Sequence, residues 1–329
     1  MRQKILGFAL SVLLFSLCGS ADAQQAGKVF RIGYLDNSTA SGNAVLIDAF
    51  RQEMSKLGWI EGKNITIEYR FAEQKPDRLP ELVAELVRLK VDLIVVADTP
   101  SAEATKKATT TIPIVIANAG DPVGTGLVAS LARPGGNATG LASLSPQLNT
   151  KRLEILKDAV PKLNQVGLLR PPATSTVTDL QLKELKSAAV TLKLKLEEIK
   201  TQPDAKGLES AFQTAKQKQV GAIMTTGARR FFTEPKQIVE LAAKYRLPAI
   251  YFQKEFVDEG GLMSYGADYT DLFRKAAHYV DKILKGTKPA DLPVQQPTKF
   301  KFVINLKTAK QIGLTIPAEV LARATKIIK

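Results

Sequence analysis

The chain has 329 residues, a formal charge of +14 at pH 7, one histidine and one cysteine. Once a leader is removed, about 300 residues remain, more than a single hydrophobic core usually serves, so two lobes are expected. The lysines are scattered along helical stretches beside Asp and Glu, with no arginine-rich arm, which argues for a solvated basic surface and against a nucleic-acid partner.

The N-terminal residues read as an export signal. Arg2 and Lys4 precede an apolar run over 5–17, and Ala21-Asp22-Ala23 fits the small-x-small cleavage pattern. Residues 1–23 are therefore expected to be a cleaved signal peptide, with a periplasmic mature chain starting at Gln24. The run is too short for a bilayer span, which needs about 20 residues. Cys18 follows Leu17, whereas a lipid-modified cysteine follows a small residue, so no lipid anchor is expected. Cleavage would remove the only thiol, and with it any disulfide, thiolate nucleophile or thiolate metal site.

Further along, β-branched runs predict strands at 29–35, 65–70, 93–97 and 114–117, separated by helices at 43–57, 77–89 and 101–109. This alternation is the pattern of βαβ units on a parallel sheet. A glycine-rich passage over 120–146 interrupts it. The pattern then restarts, with strands at 166–169, 194–199, 222–225 and 249–251 and helices at 177–192, 204–217 and 235–245. A strand at 262–265 leads into a helix over 268–284. The stretch 289–297 holds three prolines and reads as a connection, 300–305 as a strand, and a short helix follows Pro317. The expected fold is α/β, with two doubly wound parallel-sheet lobes joined by a multi-strand hinge. One lobe covers 24–145 with a returning segment near 266–296. The other covers 146–265 with a returning segment near 297–329.

Several ordered passages carry a family resemblance: Gly120-Asp-Pro-Val-Gly-Thr-Gly-Leu-Val-Ala-Ser-Leu131, Ala132-Arg-Pro-Gly-Gly-Asn-Ala-Thr-Gly140 and Lys285-Gly-Thr-Lys-Pro-Ala-Asp-Leu-Pro293. Asn305-Leu-Lys-Thr-Ala-Lys310 and Gly313-Leu-Thr-Ile-Pro317 complete the set. Together they resemble the ABC-transporter substrate-binding family that includes the tryptophan-binding (TrpX-type) proteins. The resemblance implies a type 1 periplasmic-binding-protein fold, with a small ligand clamped between hinged lobes and an ABC permease in the inner membrane as partner. Ligands in such families include aromatic amino acids. A monomer and no cofactor are expected.

The remaining motifs offer little catalytic chemistry. Gly124-Thr-Gly126-Leu-Val-Ala129 matches G-x-G-x-x-A, but Asp121-Pro122 separates it from the strand and no acid follows until Glu154. No Walker-type phosphate loop is present. His278 lies about 200° from Ala276 and from Val280 on its predicted helix, so it faces away from the apolar stripe. Without a second histidine or a mature cysteine there is no triad of the usual kind. The pairs Glu197-Glu198 and Asp258-Glu259 suit solvent better than an acid–base couple, and no acidic loop has metal-ligand spacing.

A ligand in an open α/β sheet sits beyond the carboxyl ends of the strands. That placement selects Asn37, Ser38, Thr99, Ser101, Asn118 and Asp121 from the first lobe. It selects Arg230 and Tyr251 from the second, with Tyr265 and Asp268 near the crossing. For an amino-acid-like or aromatic ligand, Ser38, Thr99 and Ser101 could hold a carboxylate at helix N-termini, Asp121 or Asp268 an ammonium, and Tyr251 and Tyr265 a ring. The same serines, threonine and Asp268 also serve as N-caps, and Asp121-Pro122 also shapes a turn. An exported sensor input domain, or an enzyme working in the same cleft, are the alternatives on this fold.

Overall fold

In the computed structural model, residues 28–172, 176–202, 204–227, 231 and 234–329 are described. The signal segment 1–23, with Cys18, lies outside the described residues. Runs of Val, Ile and Leu without polar alternation belong to parallel strands covered on both faces. The run Leu93–Val96 (β3) is one, buried at every position. It is the central strand of a five-stranded parallel sheet with β1 (Phe30–Asp36), β2 (Ile65–Phe71), β4 (Ile114–Ala119) and β5 (Ala138–Ala142), in the order β2-β1-β3-β4-β5. Helices α1 (Ala44–Lys56), α2 (Leu79–Arg88) and α3 (Thr99–Ala108) connect the first four strands. Phe50 and Met54 of α1 pack on one sheet face, and Leu82, Val83 and Leu86 of α2 on the other.

The second sheet has seven strands: β6 (Gln165–Arg170), β7 (Lys195–Lys200), β8 (Ala222–Thr225), β9 (Ala249–Tyr251), β10 (Met263–Ala267), β11 (Phe300–Asn305) and β12 (Lys326–Ile328). Their order is β12-β11-β10-β9-β8-β6-β7, and only β10 and β11 run antiparallel. One face packs on α4 (Ser145–Ala159), α5 (Thr176–Thr191) and α10 (Leu306–Ile312). The other packs on α6 (Ala205–Gln217), α7 (Pro235–Lys244) and the single turn α8 (Glu255–Asp258). The helix α9 (Tyr269–Leu284) leaves this sheet and returns to the first, where it packs on α1 and β4. The short α11 (Ala318–Leu321) follows Pro317.

Three chain segments thus cross between the sheets: from β5 into α4, from β10 into α9, and from the proline-rich stretch into β11. They are bonded side by side. Gln295 N–H donates to Gly140 O at 2.9 Å, Ala142 N–H to Gln295 O at 2.8 Å, and Asp268 N–H to Lys299 O at 3.1 Å. Gly140 is required here. Its φ is +137°, and a Cβ would lie 2.1 Å from Ile116 O.

Several elements depart from the sequence reading, among them α10, β12 and the single turn α8, which it did not predict, and two that bear on the site. The glycine-rich passage contains β5, whose Ala-Thr-Gly-Leu-Ala sequence lacks a β-branched run. It pairs with β4 because Gly140 lets the backbones approach closely. Next to it, α4 was hidden by polar residues on its inner face: Asn149 and Arg152 are buried alongside Leu153, Leu156 and Ala159. His278 is exposed, and its Nε2 stands 3.2 Å from Glu53 on α1, at the outer surface of α9.

Candidate functional site

Parallel packing aligns the carboxyl ends of β1, β3 and β4. Leu35, Val96 and Ile116 are in register, and Asn37, Asp98 and Asn118 follow two residues beyond each. Asp98 organises this edge. One carboxylate oxygen caps α3 by accepting from Ser101 N–H at 2.8 Å, while the other accepts from Asn37 N–H at 3.2 Å. Asp36 is fully buried, accepting from Ser38 N–H at 2.8 Å and from the Asn43 amide. Thr99 uses its hydroxyl within the fold, accepting from Gly120 N–H at 3.1 Å. The side-chain oxygens of Asn37, Ser38, Ser101 and Asn118 are buried with no hydrogen-bond partner among the described residues.

The second lobe shows the same condition. The hydroxyls of Thr225 and Thr226, at the end of β8, are buried and unpartnered, as are Asn149 Nδ2 and Arg152 Nε on α4. Because α4 precedes β6 in a parallel unit, its N-terminus sits at the carboxyl edge. Ser145 Oγ there lies 2.9 Å from Ser143 Oγ. The two edges meet at their rim: a Cβ on Gly124, in the loop after β4, would lie 3.1 Å from Leu180 Cδ1 of α5. Buried polar atoms in folded proteins are nearly always paired. Here several unpaired ones belong to residues at the carboxyl ends of strands in both sheets.

The other sequence candidates are placed differently. Asp121 holds its own loop, accepting from Gly124 N–H at 2.8 Å, and its carbonyl accepts from Thr125. Asp268 caps α9 and pairs with Lys301 at 2.6 Å. Tyr251 turns its ring into the second-lobe core, stacked on Phe256 with centroids 4.7 Å apart, and burial pushes its phenol far up from the usual value. Tyr265 packs on Phe300 and Phe302, offering its carbonyl to Arg152. Arg230 lies outside the described residues. The structure therefore brings Asn37, Ser38, Ser101 and Asn118 together, and adds Thr226, from the same strand-end loop as Arg230, and Asn149 and Arg152, which the sequence reading did not select. The threonine could have been found from its place after β8. The α4 pair carries no such signal, since Lys-Arg-Leu-Glu reads as a solvated helix face.

Among the described residues, no group of His, Cys, Asp and Glu side chains gathers to hold a metal ion. No described helix is long and apolar enough to cross a membrane. Two parallel sheets with facing carboxyl edges, three bonded crossings and a polar interior define a hinged two-lobed ligand-binding protein of the type 1 periplasmic-binding fold. Sequence comparison agrees. Residues 42–328 match the family described as ABC transporter substrate binding protein, and the chain belongs to that family. It is 29% identical over 272 residues to a tyrosine-binding protein of Clostridioides difficile (strain R20291), covering 80% of this chain and 75% of that one. Among solved structures it resembles the ABC domain from Streptococcus pneumonia in complex with L-Trp, with a TM-score of 0.80 and 27% identity over 90% of this chain and 100% of that one. It also resembles the ligand-free, open structure of a Clostridium difficile substrate-binding protein, with a TM-score of 0.64 and 25% identity over 92% and 99% of the two chains. Proteins of this family are the extracytoplasmic binding components of ABC importers, and that is the role of this chain.

Proposed function

We propose that this chain captures a free aromatic amino acid between its lobes and delivers it to an inner-membrane permease without chemically altering it. The observation that carries the reading is the set of unpartnered buried polar atoms on both carboxyl edges, from Asn37, Ser38, Ser101 and Asn118 to Thr226, Asn149 and Arg152. The tyrosine and tryptophan named for its relatives support the aromatic class. The conformation described has its edges in contact through Gly124 and Leu180. It also matches the Trp-bound relative better than the open one, which supports a closed lobe arrangement. Ligand would stabilise this form from an open one, and the permease would read the difference. The mature chain acts as a monomer in the periplasm after cleavage behind Ala23.

The test is thermal unfolding of the 24–329 chain with and without L-tyrosine and L-tryptophan. Ligand at 100 times its Kd adds about 2.7 kcal/mol, so the midpoint should rise by several degrees. No shift with either amino acid at millimolar concentration would remove the aromatic amino-acid reading.

A further inference from the structure

Arg152 departs from ordinary burial rules for a charged side chain. Only 2% of it is exposed, yet it forms no ion pair with any described carboxylate. Its Nη1 donates to Tyr265 O at 2.8 Å, its Nη2 donates to Asn149 Oδ1, and its Nε has no partner. Burial pulls its pKa down to about 10, which leaves it fully charged at neutral pH. A buried charge is expensive unless another charge or a full set of hydrogen bonds compensates it. Two neutral acceptors do not complete a five-donor fork.

The fold shows where the missing anion belongs. Side chains on a helix lean toward its N-terminus, and the N-terminus of α4 is at the carboxyl edge. Arg152 therefore reaches back along α4, and this is why it meets Asn149, three residues earlier, and the carbonyl of Tyr265 in the middle of β10. Met263, Ile250 and Met224 share a register row across β10, β9 and β8, with Tyr265 and Thr226 two residues further along their own segments. Because Asn149 gives its oxygen to the guanidinium, its amide nitrogen is left as a second unpaired donor.

We infer that Arg152 and Asn149 form the carboxylate subsite of this binding protein, so that the second lobe holds the ligand's anionic end and the first lobe's oxygen-rich edge faces its ammonium. This rests on the amino-acid reading above and adds its polarity, which reverses the assignment of the carboxylate to Ser38, Thr99 and Ser101. Asn37 and Asn118 supply side-chain acceptors on the first lobe, where an ammonium needs them.

The experiment measures binding of three probes to the 24–329 chain by calorimetry: L-tyrosine, tyramine, which lacks the carboxylate, and 3-(4-hydroxyphenyl)propionate, which lacks the amine. Wild type is expected to bind tyramine at least 100-fold more weakly than L-tyrosine. Arg152→Met should bring the two within tenfold by weakening L-tyrosine alone. Equal binding of tyramine and L-tyrosine by wild type, or an equal loss of both in Arg152→Met, overturns the subsite while leaving the amino-acid reading intact. Wild type that binds none of the three overturns both. Asn149→Asp keeps shape but gives the guanidinium an internal counter-ion, so it should raise the unfolding midpoint while weakening L-tyrosine at least tenfold. Unchanged affinity in this variant counts against the subsite even if Arg152→Met does not fold. Acetate at matched concentration should not protect either variant or wild type from unfolding. Protection equal to that given by L-tyrosine would mean a general anion site and would overturn the assignment to an amino-acid carboxylate.

Discussion

Three phenols lie where water cannot stabilise their ionised form. Burial pushes Tyr69 and Tyr279 up to about 12, and Tyr251 higher still. In the unfolded chain all three ionise near 10. Their neutral burial is therefore compatible with full stability below pH 10, and stability falls as pH climbs from 10 through 12. Phenolate absorbance of these three should rise together with the loss of helical ellipticity. Ionisation of every tyrosine near pH 10 with ellipticity intact would contradict it. The residue scale is also where sequence was most uneven as a guide. Asn37, Ser38, Ser101 and Asn118 could be selected because strand ends are set by pattern alone, and parallel register then gathers them. Tyr251 looked like a ring for a ligand, but Gly261 and Phe256 open a slot for it inside the lobe: a Cβ on Gly261 would sit 2.6 Å from the ring. Arg152 and Asn149 were invisible because charge in a helix ordinarily means solvent.

Among the elements, β5 depends on the absence of a Cβ at Gly140, as β10 does at Gly266, where a Cβ would lie 2.0 Å from Phe252 O. Gly140 combines a positive φ with backbone contact at Ile116, whereas Gly126 has φ +70° and nothing within 4 Å of its would-be Cβ. Gly140→Ala is expected to cost about 2–4 kcal/mol, and Gly126→Ala about 1 kcal/mol or less. Urea unfolding of the two variants measures the difference, and equal costs would mean that the close approach at Ile116 relaxes freely. The first four strands of each sheet were legible from β-branched runs and regular helical spacing. The strand β5 was not, because its Ala, Thr and Gly residues give it no propensity of its own, and only pairing with β4 makes it a strand. The helix α4 was missed for the opposite reason. Its propensity is good, but a polar inner face breaks the apolar period that announces an amphipathic helix.

For the molecule as a whole, closure depends on how tightly the rims approach. Gly124 leaves room for Leu180, and a side chain there would also collide with Asp121, whose Oδ2 lies 2.3 Å from the would-be Cβ. Gly124→Leu should leave the fold intact and bias the lobes apart. A bias of about 1.4 kcal/mol lowers apparent affinity roughly tenfold. Solution scattering should then show wild type compacting on saturation with L-tyrosine and the variant compacting less. Equal compaction would show that this rim contact does not limit closure. The two-lobed plan itself was readable from chain length and the restart of the α/β pattern. The three crossings were not fully so, since the bonds joining Gly140 to Gln295 and Asp268 to Lys299 link residues far apart in sequence. One more property follows from the placement of the chain's single tryptophan. Trp59 follows α1, lies edge-on to Phe30 at the start of β1 and donates to Asp281 at 2.8 Å. This anchors it at the amino end of the first sheet, opposite the ligand edge. As a fluorophore it is a gauge of first-lobe folding that stays silent when the cleft fills, so emission that changes in a tryptophan titration belongs to the ligand.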